Sequence, residues 1–215
     1  MLVKIVILLS RFKKAFSRHM TARFSSVDLR ELPDILSAPR FATYLHEAGG
    51  DTARALALYQ WNFQISAAFF VPLHLCEIAM RNGAAEALGH VHGQNWPWSK
   101  GFIRSLPVPS RPFLYNPGTD LMNVARIQKT TGKVIAELKF AFWQQVFTSG
   151  QENRLWVPHL HAVFPGIPRT LSIKAARQRV YDYLFVVRTL RNRIAHHEPV
   201  FARDLRGEFA MAREM

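Results

Sequence analysis

Cysteine is almost missing: the 215 residues hold only Cys76. A lone thiol cannot close an internal disulfide. Its place in an apolar run marks it as a small core hydrophobe, and the chain fits a reducing compartment, the cytoplasm. Strand-like alternation is nearly absent, which argues against a sheet-based fold. No internal repeat or low-complexity tract is present, so solenoids and disordered arrays are not expected. Metal-ligand clusters are scarce too. His90-x-His92 and His159-x-His161 have no cysteine or carboxylate cluster beside them, and two-residue spacing puts helical side chains on different faces. Neither a metal nor a cofactor is expected. Acidic residues are few, 15 against 28 Lys and Arg, for a net charge of +13 and a pI near 10.6. Such a protein collects polyanions, with nucleic acid and anionic membrane as candidates; a merely basic protein is the plain alternative.

What is present is globular. Hydrophobic residues make up 49% and charged residues 20%, enough for one domain with a core. Residues 1–27 form a separate basic segment. Its opening run, Met1 to Leu9, is followed by Arg11, Lys13, Lys14 and Arg18. Positive charge after the apolar run, without a small-residue cleavage site, argues against a signal peptide, and nine residues are too few to span a bilayer. No transmembrane segment is expected. Lys13, Lys14 and Arg18 are candidate RNA-backbone contacts; a basic tail or a lipid-surface segment are the other readings.

The helical domain is expected over 28–215. Short helices punctuated by Pro33, Pro39 and Gly49-Gly50 lead to Asp51, a good N-cap. From Thr52 to about Val91 only Pro72 interrupts a helix, and it is expected to kink or divide it. Five of the twelve prolines fall in residues 93–118, read as an irregular connector pinned by Trp96, Trp98, Phe102 and Phe113. Thr130 or Thr131 caps a helix running through Val134, Leu138, Phe142 and Val146 to a cap at Gly150. The clearest helix carries Ile173, Ala176, Val180, Tyr183, Val187, Leu190 and Ile194 at spacings of three and four, a core or interface stripe. The fold class is all-α, a bundle with two long helices.

The last helix also carries the chemistry. Residues 188–198 read Arg-Thr-Leu-Arg-Asn-Arg-Ile-Ala-His-His-Glu. At about 100° per residue from Arg191, Arg188, Asn192 and His196 fall near 60°, 100° and 140°, on one polar face, with Arg191 at its edge. His197, near 240°, lies on the other flank of the apolar stripe. Asn192 and His196 are i and i+4, within side-chain reach. An imidazole titrating near neutrality can hold or move the proton of a 2′-hydroxyl, and a guanidinium can grip a phosphate. Such groups suit RNA cleavage without a metal; a buried polar network stapling a helix end is the plainer reading. Upstream, Glu77, Arg81 and Asn82 interrupt an apolar helix. They form either a structural pair or a set that orients Arg191 or His196. Trp96, Trp98, Phe140, Phe142 and Trp143 can stack bases, although aromatics at such positions are more often core.

The string Arg191-Asn-Arg-Ile-Ala-His-His-Glu-Pro199 resembles the signature of the HEPN superfamily, an arginine and a polar residue followed by histidine after four to six positions. Its wording is similar to the Abi-like (abortive infection) proteins of bacteria. Leu75-Cys-Glu-Ile-Ala-Met-Arg-Asn82 resembles that family's earlier Glu-x-x-x-Arg-Asn helix, and Leu138-Lys-Phe-Ala-Phe-Trp143 and Leu155-Trp156 its middle landmarks. The likeness covers about residues 28–205. It implies an all-helical domain that dimerises to pair two motifs, acting as a metal-independent endoribonuclease in phage defence or as a toxin. By that resemblance Arg191, Asn192 and His196 are the catalytic candidates, with His197 in reserve. Glu77, Arg81, Asn82, Arg188 and Glu198 are supporting candidates, and Arg193 contacts RNA. Some relatives carry a tyrosine two residues after the histidine, which a partner enzyme modifies; the positions here are Glu198 and Pro199, so that scheme and its antitoxin are not implied. Other relatives are non-catalytic, which leaves an RNA- or protein-binding dimer as the second expectation.

Overall fold

The computed structural model describes residues 25–213. Among them are ten α-helices and no strand, as the missing alternation required. The helices are α1 (Ser26–Ile35), α2 (Ala38–Glu47), α3 (Thr52–His92), α4 (Lys100–Ser105), α5 (Pro117–Ile127), α6 (Thr131–Glu137), α7 (Phe140–Val146), α8 (Val157–Val163), α9 (Ile173–Ala195) and α10 (Leu205–Arg213). Lys13, Lys14 and Arg18 lie outside the described residues. Helix α1 starts ahead of residue 28, with Ser25 and Asp28 forming a reciprocal capping box.

The two longest helices organise the molecule. Asp51 caps α3, its Oδ1 accepting from Arg54 N at 3.0 Å. Pro72 does not divide the helix: it lies buried inside a continuous 41-residue span. Its ring removes one backbone donor, and the turns that follow carry Leu73, Cys76 and Met80 into the main core. At 1.5 Å per residue α3 is about 60 Å long, long enough to serve two cores. Its first turns join α2 in a small cluster of Phe41, Tyr44, Ala55, Leu56 and Tyr59. Its second half enters the main core with α9, where Ala176, Val180, Tyr183, Val187 and Leu190 are buried. The α9 stripe is thus internal. Cys76 is buried there, and burial pushes its thiol up to about 11, so it is a packing residue and not a nucleophile at neutral pH. Gly83 permits a close crossing: a Cβ there would meet the Phe164 ring at 2.5 Å.

Two expectations change. Residues 93–118 are partly helical, with a 3₁₀ turn at Trp96–Trp98 followed by α4. Trp96 and Phe102 are buried, whereas Phe113 is 75% exposed and pins nothing. The helix expected from Thr130 to Gly150 is two helices. Thr130 caps α6, but Leu138 and Lys139 are extended, with ψ of 135° and 151°. This break re-aims the chain so that both Leu138 and the run Phe140, Phe142, Trp143 and Val146 are buried; one straight helix could not turn both sets inward. Gly150 falls in a later 3₁₀ turn, Ser149–Gln151, followed by a wide π-turn, Glu152–Trp156. Burial of Trp96, Phe140, Phe142 and Trp143 removes them as base-stacking platforms. Trp98 stays 40% exposed, with its indole N–H on Ala125 O at 3.0 Å.

Candidate functional site

The end of α9 faces the middle of α3 and the α6–α7 break. The three segments enclose a cleft of about 380 Å³, lined by Glu77 and Arg81 from α3, residues 136–141 from the break, and Arg188, Arg191 and Asn192 from α9. Glu77 is the pivot. It is 7% exposed and takes Arg81 Nη2 on one oxygen at 2.8 Å and Arg191 Nε on the other at 3.4 Å. Arg81 also donates to Ala136 O at 3.4 Å, tying α3 to α6. Arg191 Nη1 donates to Asn192 Oδ1 at 3.3 Å. A carboxylate between two guanidiniums satisfies a charge that burial alone would make costly. Two strings 114 residues apart (Glu77 to Arg191) therefore meet in one cluster, with Glu77 orienting Arg191.

The histidines stand outside it. Helix α9 stops at Ala195, so His196 is its C-cap and not a helical residue. The chain closes with His197 N–H on Ile194 O at 3.1 Å and Glu198 N–H on Arg193 O at 2.8 Å. This is a Schellman close, and it places His197 in the left-handed region at φ 57°, where glycine usually sits. Both histidines are exposed. The expected Asn192–His196 side-chain pair is not made: the contact is through the backbone, His196 N–H to Asn192 O at 2.9 Å. Among the described residues neither imidazole makes a hydrogen bond, so neither ring is fixed by them.

The other candidates scatter. Asn82 is exposed and does not line the cleft. Arg193 and Glu198 pair with each other at 3.5 Å, and Arg193 also donates to Pro199 O at 3.2 Å; they brace the turn after the helix. Arg188 lines the cleft with its guanidinium 5.8 Å from the Phe185 ring centroid. Sequence reasoning missed two groups. Lys139 reaches the cleft because the helix breaks there. Asn62, buried on α3, accepts Val200 N–H at 2.7 Å and anchors the chain just past the motif. A polar residue on the core face of an apolar helix was the available signal for Asn62.

His90 and His159 stack at 5.1 Å from α3 and α8. Among the described residues they are not part of any group of three or more His, Cys, Asp or Glu able to hold a metal. Helix α3 also has a bare side. Phe63, Phe70, Val71, Leu75 and Ile78 are 38–62% exposed and share one face about 140° wide. By length and composition α3 is apolar enough to cross a membrane, with an 18-residue window of mean hydropathy 1.5, 28% of it buried within the molecule. No protein-family model, curated protein sequence or solved structure matches the chain.

Proposed function

We propose that the chain is a metal-independent endoribonuclease of the HEPN, Abi-like type. It acts in the bacterial cytoplasm, in phage defence or as a toxin, as a homodimer. The observation that carries this reading is the Glu77-held Arg191, beside Asn192 and at the mouth of a cationic cleft, five residues before an exposed histidine. In the proposed reaction the 2′-hydroxyl attacks the adjacent phosphorus while His196 takes or positions its proton. Arg191 offsets the charge gathering on the phosphoryl oxygens, and Asn192 holds Arg191 or the RNA. The 5′-oxygen departs and is protonated, leaving a 2′,3′-cyclic phosphate. DNA lacks the hydroxyl and is spared. The unfixed histidines fit a site finished by a second copy, and the exposed apolar face of α3 is a surface such a copy could cover.

The test is incubation of purified protein with total RNA in EDTA, beside Arg191→Ala and His196→Ala variants. Cleavage by the wild type that both variants lose supports the proposal. One observation favours a second reading, a non-catalytic dimer that binds RNA or a protein: Arg191 is already engaged by Glu77 and Asn192, as in a network that staples a helix end. Absence of cleavage by folded, dimeric wild type selects that reading.

A further inference from the structure

The cleft holds a guanidinium with nothing to do. Arg81 is committed to Glu77 and Ala136 O, Arg191 to Glu77 and Asn192, and Arg193 to Glu198 and Pro199 O. Among the described residues Arg188 makes no hydrogen bond and no ion pair, and the Tyr115 hydroxyl is a polar group within its electrostatic reach. Its Nε is buried without a partner, as is that of Arg81, while the residue as a whole is half-buried and lines the cleft. Its guanidinium lies over the Phe185 ring, 5.8 Å from the centroid. Around it the cleft carries four cations, Arg81, Lys139, Arg188 and Arg191, against the carboxylates of Glu77 and Glu137. Glu77 is spent on two arginines, and Lys139 meets Asp120 only at 3.7 Å with its side chain 70% exposed. A preorganised, unpaired planar fork in a half-enclosed cationic cleft is the chemistry that takes a phosphate oxygen pair.

We infer that Arg188, with Lys139 at the rim, forms a subsite for a non-scissile phosphodiester of RNA, next to the phosphate held by Arg191. This rests on the ribonuclease reading for the identity of the strand. Arg188 and Arg191 are i and i+3 on α9, which sets their Cβ atoms about 5–6 Å apart, a step that successive phosphates of one strand can follow. Arg188 is thus a contact residue for substrate rather than a support for Arg191. The same chemistry would take a free phosphate, and the experiment separates the two sources.

Full-length protein is titrated with a fluorescein-labelled 2′-O-methyl RNA 12-mer, which carries the phosphates but cannot be cleaved. Anisotropy is read across a salt series for the wild type, Arg188→Gln, Arg188→Lys and Lys139→Gln, with Arg169→Gln, at an exposed position that does not line the cleft, as a control of equal charge change. The expected result is about tenfold weaker binding for Arg188→Gln and a salt slope shallower by about 0.7, one phosphate contact on a single strand. Lysine restores the slope but not the full affinity, since it keeps the charge without the fork. Lys139→Gln, at an exposed rim position that does not threaten folding, gives a smaller change of the same sign. If both Arg188→Gln and Lys139→Gln match the Arg169→Gln control, the subsite does not exist. If inorganic phosphate at constant ionic strength raises the melting temperature of wild type but not Arg188→Gln, while the 12-mer slope is unmoved, the site takes free phosphate and the assignment to RNA is overturned. Arg188-dependent 12-mer binding without cleavage of total RNA leaves the subsite standing and removes the ribonuclease reading alone.

Discussion

Helix α9 carries an arginine–carboxylate pair near each end, and the two are built differently. Near its start Arg177 is 3% exposed. Its Nε meets Glu152 at 2.7 Å, Nη1 donates to Phe147 O at 2.5 Å and Nη2 to Gln178 at 3.3 Å. Every nitrogen is used, and no surface is left for a ligand. Near its end Arg191 is 44% exposed at 3.4 Å from Glu77, and Arg188 one turn earlier makes no hydrogen bond or ion pair among the described residues. The first arrangement locks the π-turn Glu152–Trp156 to the core. The second leaves donors facing a cleft. Satisfied burial marks structure, and incompletely used charge on a shaped surface marks a place for a ligand.

Substitutions can break that contrast. Arg177→Leu should have the largest effect on folding, a loss of about 3–5 kcal/mol read by denaturant unfolding, because it strands Glu152 and the Phe147 carbonyl. A loss below about 1 kcal/mol, the range of surface pairs, would mean the two ends are alike. Arg191→Ala should do the reverse. Cleavage should fall about 10²-fold or more, with stability within about 1 kcal/mol of wild type. Glu77→Gln sits between them, since it frees two arginines at once. It should cost about 1–3 kcal/mol and lower cleavage without abolishing it; a wild-type rate would show that Arg191 needs no orientation. The smallest effect sharpens the site. His197→Gly removes a side chain from a left-handed position and should stabilise by up to about 1 kcal/mol, seen as a raised unfolding midpoint. Cleavage retained by that variant assigns proton transfer to His196, and cleavage lost assigns it to His197.

Much of this was readable in the chain. The three-and-four spacing from Ile173 to Ile194 gave the apolar stripe of α9, because helical period is local; that it faces the core and not a partner came from the structure. Asp51, and Thr130 or Thr131, were readable as caps, and the structure uses Asp51 and Thr130. Glu77 and Arg81 stood out as charges in an apolar helix, which marked them as a pair, structural or orienting Arg191 or His196, without saying which. The Leu138–Lys139 break did not show, since Phe140 to Trp143 continue a plausible helix and only the core's demand for both Leu138 and Phe142 bends the chain. The end of α9 was placed too late: Pro199 sets an upper limit, but the Schellman close came earlier and took His196 out of the helix. Projecting it at 100° per residue therefore gave it a partner it does not have.

The sequence by itself determined an all-helical chain, two long helices, an apolar stripe for a core or an interface, and a cluster of Arg, Asn, His and Glu with a family likeness, because period, capping and residue chemistry are local properties. Only the tertiary structure decided that Glu77 reaches Arg191, that the broken helix brings Lys139 to the cleft, that Arg188 is left unpaired, and that α3 keeps a bare apolar face. Those outcomes depend on which surfaces meet across the fold, and contacts between residues far apart in the chain leave no periodic trace in it.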